Sequence, residues 1–119
     1  MKLSMQVGYA GGFAESVEKV KALESAGMDI VYVAEAYGYD APTLMGYLAA
    51  ETETIQIASG ILPVYTRTPT LIAMTAAGLD EISGGRAILG LGASGPQVIE
   101  GFHGIPYKAP IGHTREVID

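Results

Sequence analysis

The segment from Ile55 to Pro96 sets two short apolar stretches on either side of a long helical pattern. The stretches are Ile55–Ser59 and Ala87–Leu91, each of a length typical of a buried strand. The helix between them begins at Thr68-Pro69, a cap residue followed by proline, and stops at Gly84-Gly85. Two strands joined by a helix run parallel. Both therefore deliver their following loops to the same edge of the sheet, where such folds bind cofactors.

The same alternation extends through the whole chain. Strands are predicted over Lys2–Gly8, Asp29–Val33, Ile55–Ser59 and Ala87–Leu91. Their starts lie roughly 25–32 residues apart, which is the length of a βαβ unit. Helical patterns fill the intervals, and Asp40-Ala41-Pro42, a cap residue followed by proline in the first turn, marks the start of the second helix. The predicted fold class is therefore α/β with a parallel sheet, of the kind found in one half of a (β/α)₈ barrel.

The chain has 119 residues and no linker or low-complexity segment, so residues 1–119 are expected to form part of a single domain. Its last residues, Thr114–Asp119, have the pattern of the first turns of a helix. We therefore expect the chain to be the N-terminal part of a longer barrel. The alternative is a short final helix that frays.

Composition excludes several classes of function. The net charge of -6 and the pI of about 4.7 argue against non-specific nucleic-acid binding. The absence of cysteine excludes disulfides, thiolate metal sites and thiol nucleophiles. The first residues lack the apolar stretch expected of a signal peptide, and no apolar run in these residues reaches membrane-spanning length. We expect a soluble cytoplasmic protein with no membrane or nucleic-acid partner.

Glycines and aromatic residues are concentrated after the predicted strands. The loops are Tyr9–Gly12, Ala34–Asp40, Gly60–Arg67 and Gly92–Pro96. Such loops suit a flat ligand that meets backbone amides, although turns are also rich in glycine. Residues 90–95 match G-x-G-x-x-G, whose glycines would let backbone N–H groups approach a phosphate. A Rossmann site and a plain strand-to-helix turn are the alternatives.

Glu35 is the single carboxylate at the tip of an apolar strand. A carboxylate at the mouth of a sheet can bind a ligand or donate a proton, which makes Glu35 the candidate catalytic residue. The alternative is a rim residue or the partner of a salt bridge.

The remaining chemical candidates are weaker. His103 and His113 stand in irregular sequence without a third ligand nearby, so no metal site is expected. Arg67 and Arg86 could bind phosphate or cap helices. Capping is favoured for Arg86, because it precedes a strand at the opposite end of the sheet.

Several of these segments together resemble the bacterial luciferase-like superfamily. The resemblance rests on Val33–Gly38, Ser59–Pro63, Tyr65–Pro69, Ser83–Arg86 and Leu89–Gly92, and it covers essentially the whole chain. It is strongest to the deazaflavin-dependent oxidoreductases related to methylenetetrahydromethanopterin reductase. The resemblance implies a (β/α)₈ barrel about three times this length, usually dimeric, with a non-proline cis peptide at Gly60–Ile61.

The resemblance also implies a cofactor site. Gly60, Ile61 and Leu62 would back the deazaflavin ring, Glu35 would lie near it, and Ala93, Ser94 and Gly95 would contact the phosphate-bearing tail. Two departures matter. Ala36 stands where several relatives have a histidine that reaches the ring, and Pro96 stands near the place of a glutamate in sugar-phosphate dehydrogenases.

The implied function is transfer of hydride between the deazaflavin coenzyme F420 and an unidentified small organic substrate. One alternative is an FMN-dependent monooxygenase that uses molecular oxygen. Another is a non-catalytic barrel fragment or assembly subunit. A half barrel would leave its first and fourth strands as open edges, so we expect the isolated chain to self-associate.

Overall fold

A computed structural model describes residues 1–8 and 11–119. Its elements follow the predicted order, with strands and helices alternating along the chain. The strands are β1 (Ser4–Gln6), β2 (Ile30–Val33), β3 (Gln56–Ser59), β4 (Leu62–Pro63), β5 (Ala87–Ile88) and β6 (Leu91–Gly92). The helices are α1 (Phe13–Ser25), α2 (Ala41–Glu51), α3 (Pro69–Ser83) and α4 (Pro110–Ile118), with a π-helix over Gln97–Phe102.

The main sheet is parallel throughout, in the order β1-β2-β3-β5. Val31 of β2 lies opposite Met5 of β1 and Ile57 of β3, and Ile57 in turn lies opposite Ala87 of β5. Neighbours in space are thus neighbours in sequence, as helical crossovers between parallel strands produce. The predicted α/β class with a parallel sheet is confirmed.

The core lies between this sheet and the helices. Val17 and Val20 of α1 and Leu44 and Leu48 of α2 are buried against the strands. Val31 and Val33, which are also buried, supply the facing side of β2. Tyr47, which helical spacing places next to Leu44 and Leu48, is instead 41% exposed, because it lies at the margin of the buried face.

The predicted starts of α2 and α3 and the predicted end of α3 are confirmed. The Asp40 carboxylate accepts a hydrogen bond from the Thr43 N–H at 3.2 Å, and the Thr68 hydroxyl accepts one from the Leu71 N–H at 3.2 Å. Gly84 ends α3 in the left-handed conformation, with φ of 65°. Caps and glycine stops are local signals, which is why the sequence alone locates them.

The predicted fourth strand, Ala87–Leu91, is interrupted. It forms β5, breaks at Leu89-Gly90, and resumes as β6. The third strand likewise continues beyond Ser59 as β4, and β4 and β6 pair in parallel as a separate two-stranded sheet. Gly90 is the one local sign of this break, because a glycine inside a strand pattern often marks a bulge or a close backbone approach.

The C-terminal region also differs from the prediction. The final helix begins at Pro110, four residues before the predicted Thr114, and the π-helix over Gln97–Phe102 was not predicted. No helix within residues 1–8 and 11–119 is both long and apolar enough to cross a membrane.

The connection between α2 and β3 is held from both sides. The Arg86 guanidinium donates to the carbonyl oxygens of Ala49, Thr52 and Ile55, at 2.8 to 2.9 Å. From the other side, one carboxylate oxygen of Glu24 accepts hydrogen bonds from the N–H groups of residues 53, 54 and 55, at 2.6 to 2.9 Å. The predicted capping role of Arg86 is confirmed, because Ala49 lies in the last turn of α2.

Candidate functional site

Three strand-end loops meet at the carboxyl edge of the sheet: residues 34–40 after β2, residues 60–68 around β4, and residues 93–96 after β6. The fourth predicted loop begins with Tyr9 and Ala10, which lie outside the described residues. The sheet therefore brings together the loops that the sequence predicted to share one edge.

Ser59 and Gly90 join the third and fourth strands at the base of these loops. The Ser59 hydroxyl donates to the Gly90 carbonyl oxygen at 2.9 Å and accepts from the Gly90 N–H at 2.8 Å. A Cβ atom on Gly90 would lie 2.1 Å from the Ser59 carbonyl oxygen, so only glycine fits. The first glycine of the G-x-G-x-x-G pattern thus serves a contact between strands, which corrects its predicted use toward phosphate.

The peptide bond between Gly60 and Ile61 is cis, as the family resemblance implied. Gly60 lies against the Tyr32 ring, since a Cβ atom there would be 3.2 Å from Cδ1 of that ring. Ile61 borders Gly92 and is half-buried, whereas the side chain of Leu62 is fully buried in the core. Of the three predicted ring contacts, Gly60 and Ile61 are thus accessible at the loop surface.

Glu35 forms an ion pair with Arg67 that links two of the loops. Both guanidinium NH₂ groups of Arg67 contact the carboxylate, Nη2 to Oε2 at 2.8 Å and Nη1 to Oε1. The Glu35 Oε2 atom also accepts from the Ala41 N–H at 2.7 Å, at the first turn of α2. The side chains are only 8% and 12% exposed for Glu35 and Arg67 respectively. The salt-bridge alternative for Glu35 is therefore what the structure shows.

The loop after β6 presents free backbone donors. Ser94 has a φ of 58°, which is unusual for a residue other than glycine. Within residues 1–8 and 11–119, the N–H groups of Ala93, Ser94 and Gly95 donate no backbone hydrogen bond. All three residues are half-buried. Successive free N–H groups in a turn of this kind form a concave site for an anion.

An aromatic cluster that the sequence did not predict packs beside this loop. The Tyr65 ring stacks on the His113 ring at 4.4 Å between centroids and lies 5.1 Å from the Tyr107 ring. The Tyr107 hydroxyl donates to the Ser94 carbonyl oxygen at 2.9 Å. Desolvation and the neighbouring Tyr107 raise the pKa of Tyr65. Tyr65 and His113 are more than 40 residues apart in the sequence, so no local sequence pattern indicates that these rings meet.

A cleft of about 400 Å³ opens between the loops that the ion pair connects. Its lining includes Glu35, Arg67, Phe102 and His103. His113 lies elsewhere, with Nε2 3.3 Å from the Val64 carbonyl oxygen. In the part of the chain that the structure describes, no three His, Asp or Glu side chains are close enough together to hold a metal ion.

Comparisons with family models and with individual proteins point to the same family. A family model described as luciferase-like monooxygenase matches residues 1–119. A Mycobacterium tuberculosis protein named as a coenzyme F420-dependent oxidoreductase is 46% identical over 100% of this chain, which corresponds to 35% of its own length. The chain thus spans about a third of that relative.

Two solved structures share the fold. The coenzyme F420-dependent tetrahydromethanopterin reductase of Methanopyrus kandleri superimposes with a TM-score of 0.88 at 26% identity, over 98% of this chain and 38% of the reductase. The FMN-bound oxygenating constituent of 3,6-diketocamphane monooxygenase from Pseudomonas putida superimposes with a TM-score of 0.86 at 21% identity, over 99% of this chain and 37% of that one. The second likeness shows the fold alone.

Proposed function

The chain belongs to the luciferase-like monooxygenase family, and from that membership we propose that it forms part of a (β/α)₈-barrel oxidoreductase that uses the deazaflavin coenzyme F420. The 46% identity to a relative named for that coenzyme is the observation that carries the proposal. The substrate would be a small organic molecule, whose identity depends on parts of the barrel beyond these residues.

The residues at the carboxyl edge fit a cofactor with a flat ring and an anionic tail. Gly60 and Ile61 offer a surface without a polar side chain, bounded by Tyr32 and Gly92. The free N–H groups of residues 93–95 suit phosphate oxygens, because each provides a fixed donor without a competing acceptor. A bound deazaflavin would supply hydride chemistry, and the protein would position it and exclude water.

Glu35 remains a predicted contact of the cofactor and the candidate proton carrier. Its carboxylate already accepts hydrogen bonds from Arg67 and the Ala41 N–H. This arrangement favours an orienting role, in which Glu35 fixes the loop that carries residues 60 to 68 relative to α2. In the complete barrel, Glu35→Gln should weaken coenzyme binding and lower turnover. Unchanged coenzyme affinity and turnover in this variant would exclude both the predicted cofactor contact and the orienting role of Glu35.

An FMN-dependent monooxygenase is the second candidate. It is favoured by the FMN-bound neighbour, whose fold superimposes on 99% of this chain. The deazaflavin is preferred because the relative with 46% identity is named for it, whereas the FMN enzyme is only 21% identical.

A binding titration of the complete protein separates these candidates. Oxidised coenzyme F420 is added while its fluorescence is followed, and FMN and NADPH are then added as competitors. Saturable binding that FMN does not displace supports the deazaflavin. Displacement by FMN favours the monooxygenase. Binding of none of the three would favour the remaining alternative, a non-catalytic assembly subunit.

We also propose that the protein is a homodimer and that α3 provides part of the interface. Leu71, Met74 and Ile82 are 47%, 66% and 54% exposed and recur, with Gly78, at helical spacing along one stripe of α3. A monomer rarely leaves such a stripe exposed to water. This stripe lies about 100° around the helix from Ile72 and Leu79, which are buried.

A further inference from the structure

Tyr107 lies on the chain segment that returns from the π-helix to α4, and it is fixed at both its ends. Its backbone N–H donates to the Glu100 carboxylate at 2.8 Å. Its ring packs against Tyr65, with 5.1 Å between the ring centroids and an angle of 35° between the planes. Its hydroxyl is therefore held in place when it donates to the Ser94 carbonyl oxygen at 2.9 Å.

That hydrogen bond determines the orientation of the next N–H group. The bond between Ser94 and Gly95 is trans, since the one cis bond among the described residues is at Gly60–Ile61. In a planar trans peptide, the C=O and N–H groups point in opposite directions. With the Ser94 carbonyl oxygen held toward the Tyr107 hydroxyl, the Gly95 N–H must point away from that hydroxyl.

The conformation of Ser94 makes this restraint consequential. A φ of 58° places Ser94 in the left-handed region, which most residues other than glycine adopt only when their surroundings favour it. Among the described residues, the Tyr107 hydroxyl is the one hydrogen-bond donor to the Ser94 carbonyl oxygen. Removing that donor frees the peptide between Ser94 and Gly95 to rotate toward a more common conformation.

We propose that Tyr107 is a positioning residue for binding of the cofactor's phosphate-bearing tail. Its hydroxyl holds the peptide between Ser94 and Gly95 in the orientation that directs the Gly95 N–H to a phosphate oxygen. It makes no contact with the phosphate itself. This inference rests on the proposed function, and it adds a residue that lies outside the predicted cofactor contacts.

The test is a pair of affinities measured on the complete protein. One ligand is coenzyme F420, and the other is the deazaflavin riboside that lacks the phosphate and the rest of the tail. Tyr107→Phe keeps the ring and its packing on Tyr65 but removes the hydroxyl. We expect the affinity for coenzyme F420 to fall about three- to tenfold, the effect of one well-formed hydrogen bond. The affinity for the riboside should stay the same.

Tyr65→Phe is the matched control. The Tyr65 hydroxyl donates to the Lys108 carbonyl oxygen, whereas the Tyr107 hydroxyl donates to the loop of residues 93–95. Its removal deletes a hydrogen bond of the same kind from the same cluster, and the ratio of the two affinities should not change. Thermal unfolding of both variants verifies that they are folded.

The outcomes separate this inference from the function on which it rests. If wild type binds both ligands and Tyr107→Phe changes neither affinity, or lowers both equally, the positioning role is wrong while the proposed function stands. If wild type binds neither ligand, the proposed function fails and the inference fails with it. A loss confined to coenzyme F420 supports both.

Discussion

At the scale of single residues, a few contacts in this fold accommodate only one type of amino acid. Gly90 is the strictest case, because the Ser59 carbonyl oxygen occupies the space where a Cβ atom would lie. The Ser59 hydroxyl completes the contact by bonding both backbone groups of Gly90. The point where two strands break and resume is thus fixed by one serine and one glycine.

Gly90→Ala should therefore destabilise the protein strongly. The new methyl group would lie 2.1 Å from a backbone oxygen, so β3 and the residues after β5 must move apart. We expect the free energy of unfolding to fall by about 1–3 kcal/mol or more, as measured by urea unfolding. Gly46→Ala is the control, because a Cβ atom at this position of α2 would have no neighbour within 4 Å and alanine favours helix. Similar losses for both variants would contradict the steric argument.

Glu24 offers a test by pH. Partial burial disfavours its charged form, but the N–H groups of Thr54, Ile55 and Glu53 outweigh this and hold the pKa of Glu24 below its ordinary value. A carboxyl group whose pKa is lower in the folded state stabilises the protein above its unfolded pKa. That stabilisation is lost as the pH falls through the folded pKa. Glu24→Gln should therefore lower stability at neutral pH by about 0.5–1 kcal/mol.

The same variant should also lose less stability than wild type as the pH falls below about 4.5, the ordinary pKa of a glutamate. Urea unfolding at several pH values measures both effects. Glu18→Gln on the same helix is the control, since that side chain is 75% exposed and forms an ion pair with Lys21 at 3.7 Å. If the free energy of unfolding changed with pH in the same way for wild type and Glu24→Gln, the charge of Glu24 would contribute nothing to stability.

Sequence reasoning at this scale succeeded where the signal is local. Asp40 and Thr68 were identified as caps because a cap acts within three residues. Glu35 was located at the mouth of the sheet, but its pairing with Arg67, 32 residues away, depends on how two loops pack. The same holds for Tyr107 and Ser94, since nothing in the sequence between them indicates that they meet.

At the scale of elements, the joints between helices and strands carry much of the specificity. Arg86 lies in the turn between α3 and β5, yet it bonds the end of α2 and the residues that lead into β3. Its Nη1 atom also donates to the Thr52 hydroxyl oxygen at 2.9 Å. One guanidinium group thus satisfies carbonyl groups that the helix end leaves without donors.

Replacing Arg86 should expose this dependence. Arg86→Ala leaves the carbonyls of Ala49, Thr52 and Ile55 without their donor, and we expect a loss of about 2–4 kcal/mol in the free energy of unfolding. Arg86→Lys should recover only part of it, because a lysine lacks the planar array of donors. Arg115→Ala, at an exposed position of α4, should change stability by less than about 0.5 kcal/mol. If Arg86→Lys recovered the full free energy of unfolding, the positive charge at this position, and not the array of donors, would account for the stabilisation.

The elements themselves were predicted well, except where pairing overrides local pattern. Periodicity and caps located α1 to α3, because those helices each bury a recurring apolar face. The break between β5 and β6 escaped prediction because it arises from contacts with Ser59 and Ile61. The π-helix escaped as well, since its hydrogen bonds, such as that from the His103 N–H to the Val98 carbonyl oxygen at 3.0 Å, have no distinct sequence pattern.

At the scale of the whole molecule, two kinds of surface lack a partner within the described part of the chain. The first are the edges of the main sheet, β1 and β5, which lie at its two ends. Exposed strand edges favour pairing with other chains, so the isolated 119 residues are still expected to self-associate. The second is the apolar stripe of α3, which the proposed dimer would cover.

The dimer proposal predicts the effect of a charge in that stripe. Met74→Glu places a carboxylate where Met74, now 66% exposed, would be buried between subunits, so the complete protein should shift from dimer to monomer. Light scattering coupled to gel filtration measures the mass. Ala73→Glu adds the same charge one residue earlier, on a different side of α3, and should leave the dimer intact. A dimer that persists in Met74→Glu would place the interface elsewhere.

The overall architecture followed from the sequence because a repeated βα spacing leaves few topologies. The resemblance to a family then implied the barrel and the proposed coenzyme. Physical reasoning from residues alone did not separate deazaflavin from FMN, since both present a flat ring and a phosphate to the same loops. That choice depends on relatives, chiefly on the one that is 46% identical.

The way in which Glu24 and Arg86 hold the connection from α2 to β3 has a consequence for recombination between barrels. Glu24 belongs to α1, and Arg86 belongs to the turn between α3 and β5, yet both form hydrogen bonds to this connection. A chimera cut between α2 and β3 would separate Glu24 from its N–H donors and Arg86 from its carbonyl acceptors unless both parents share these residues. Exchanges that keep residues 24 to 86 together preserve the hydrogen bonds of both side chains. That span is therefore the shortest segment that should be exchanged between barrels as one piece.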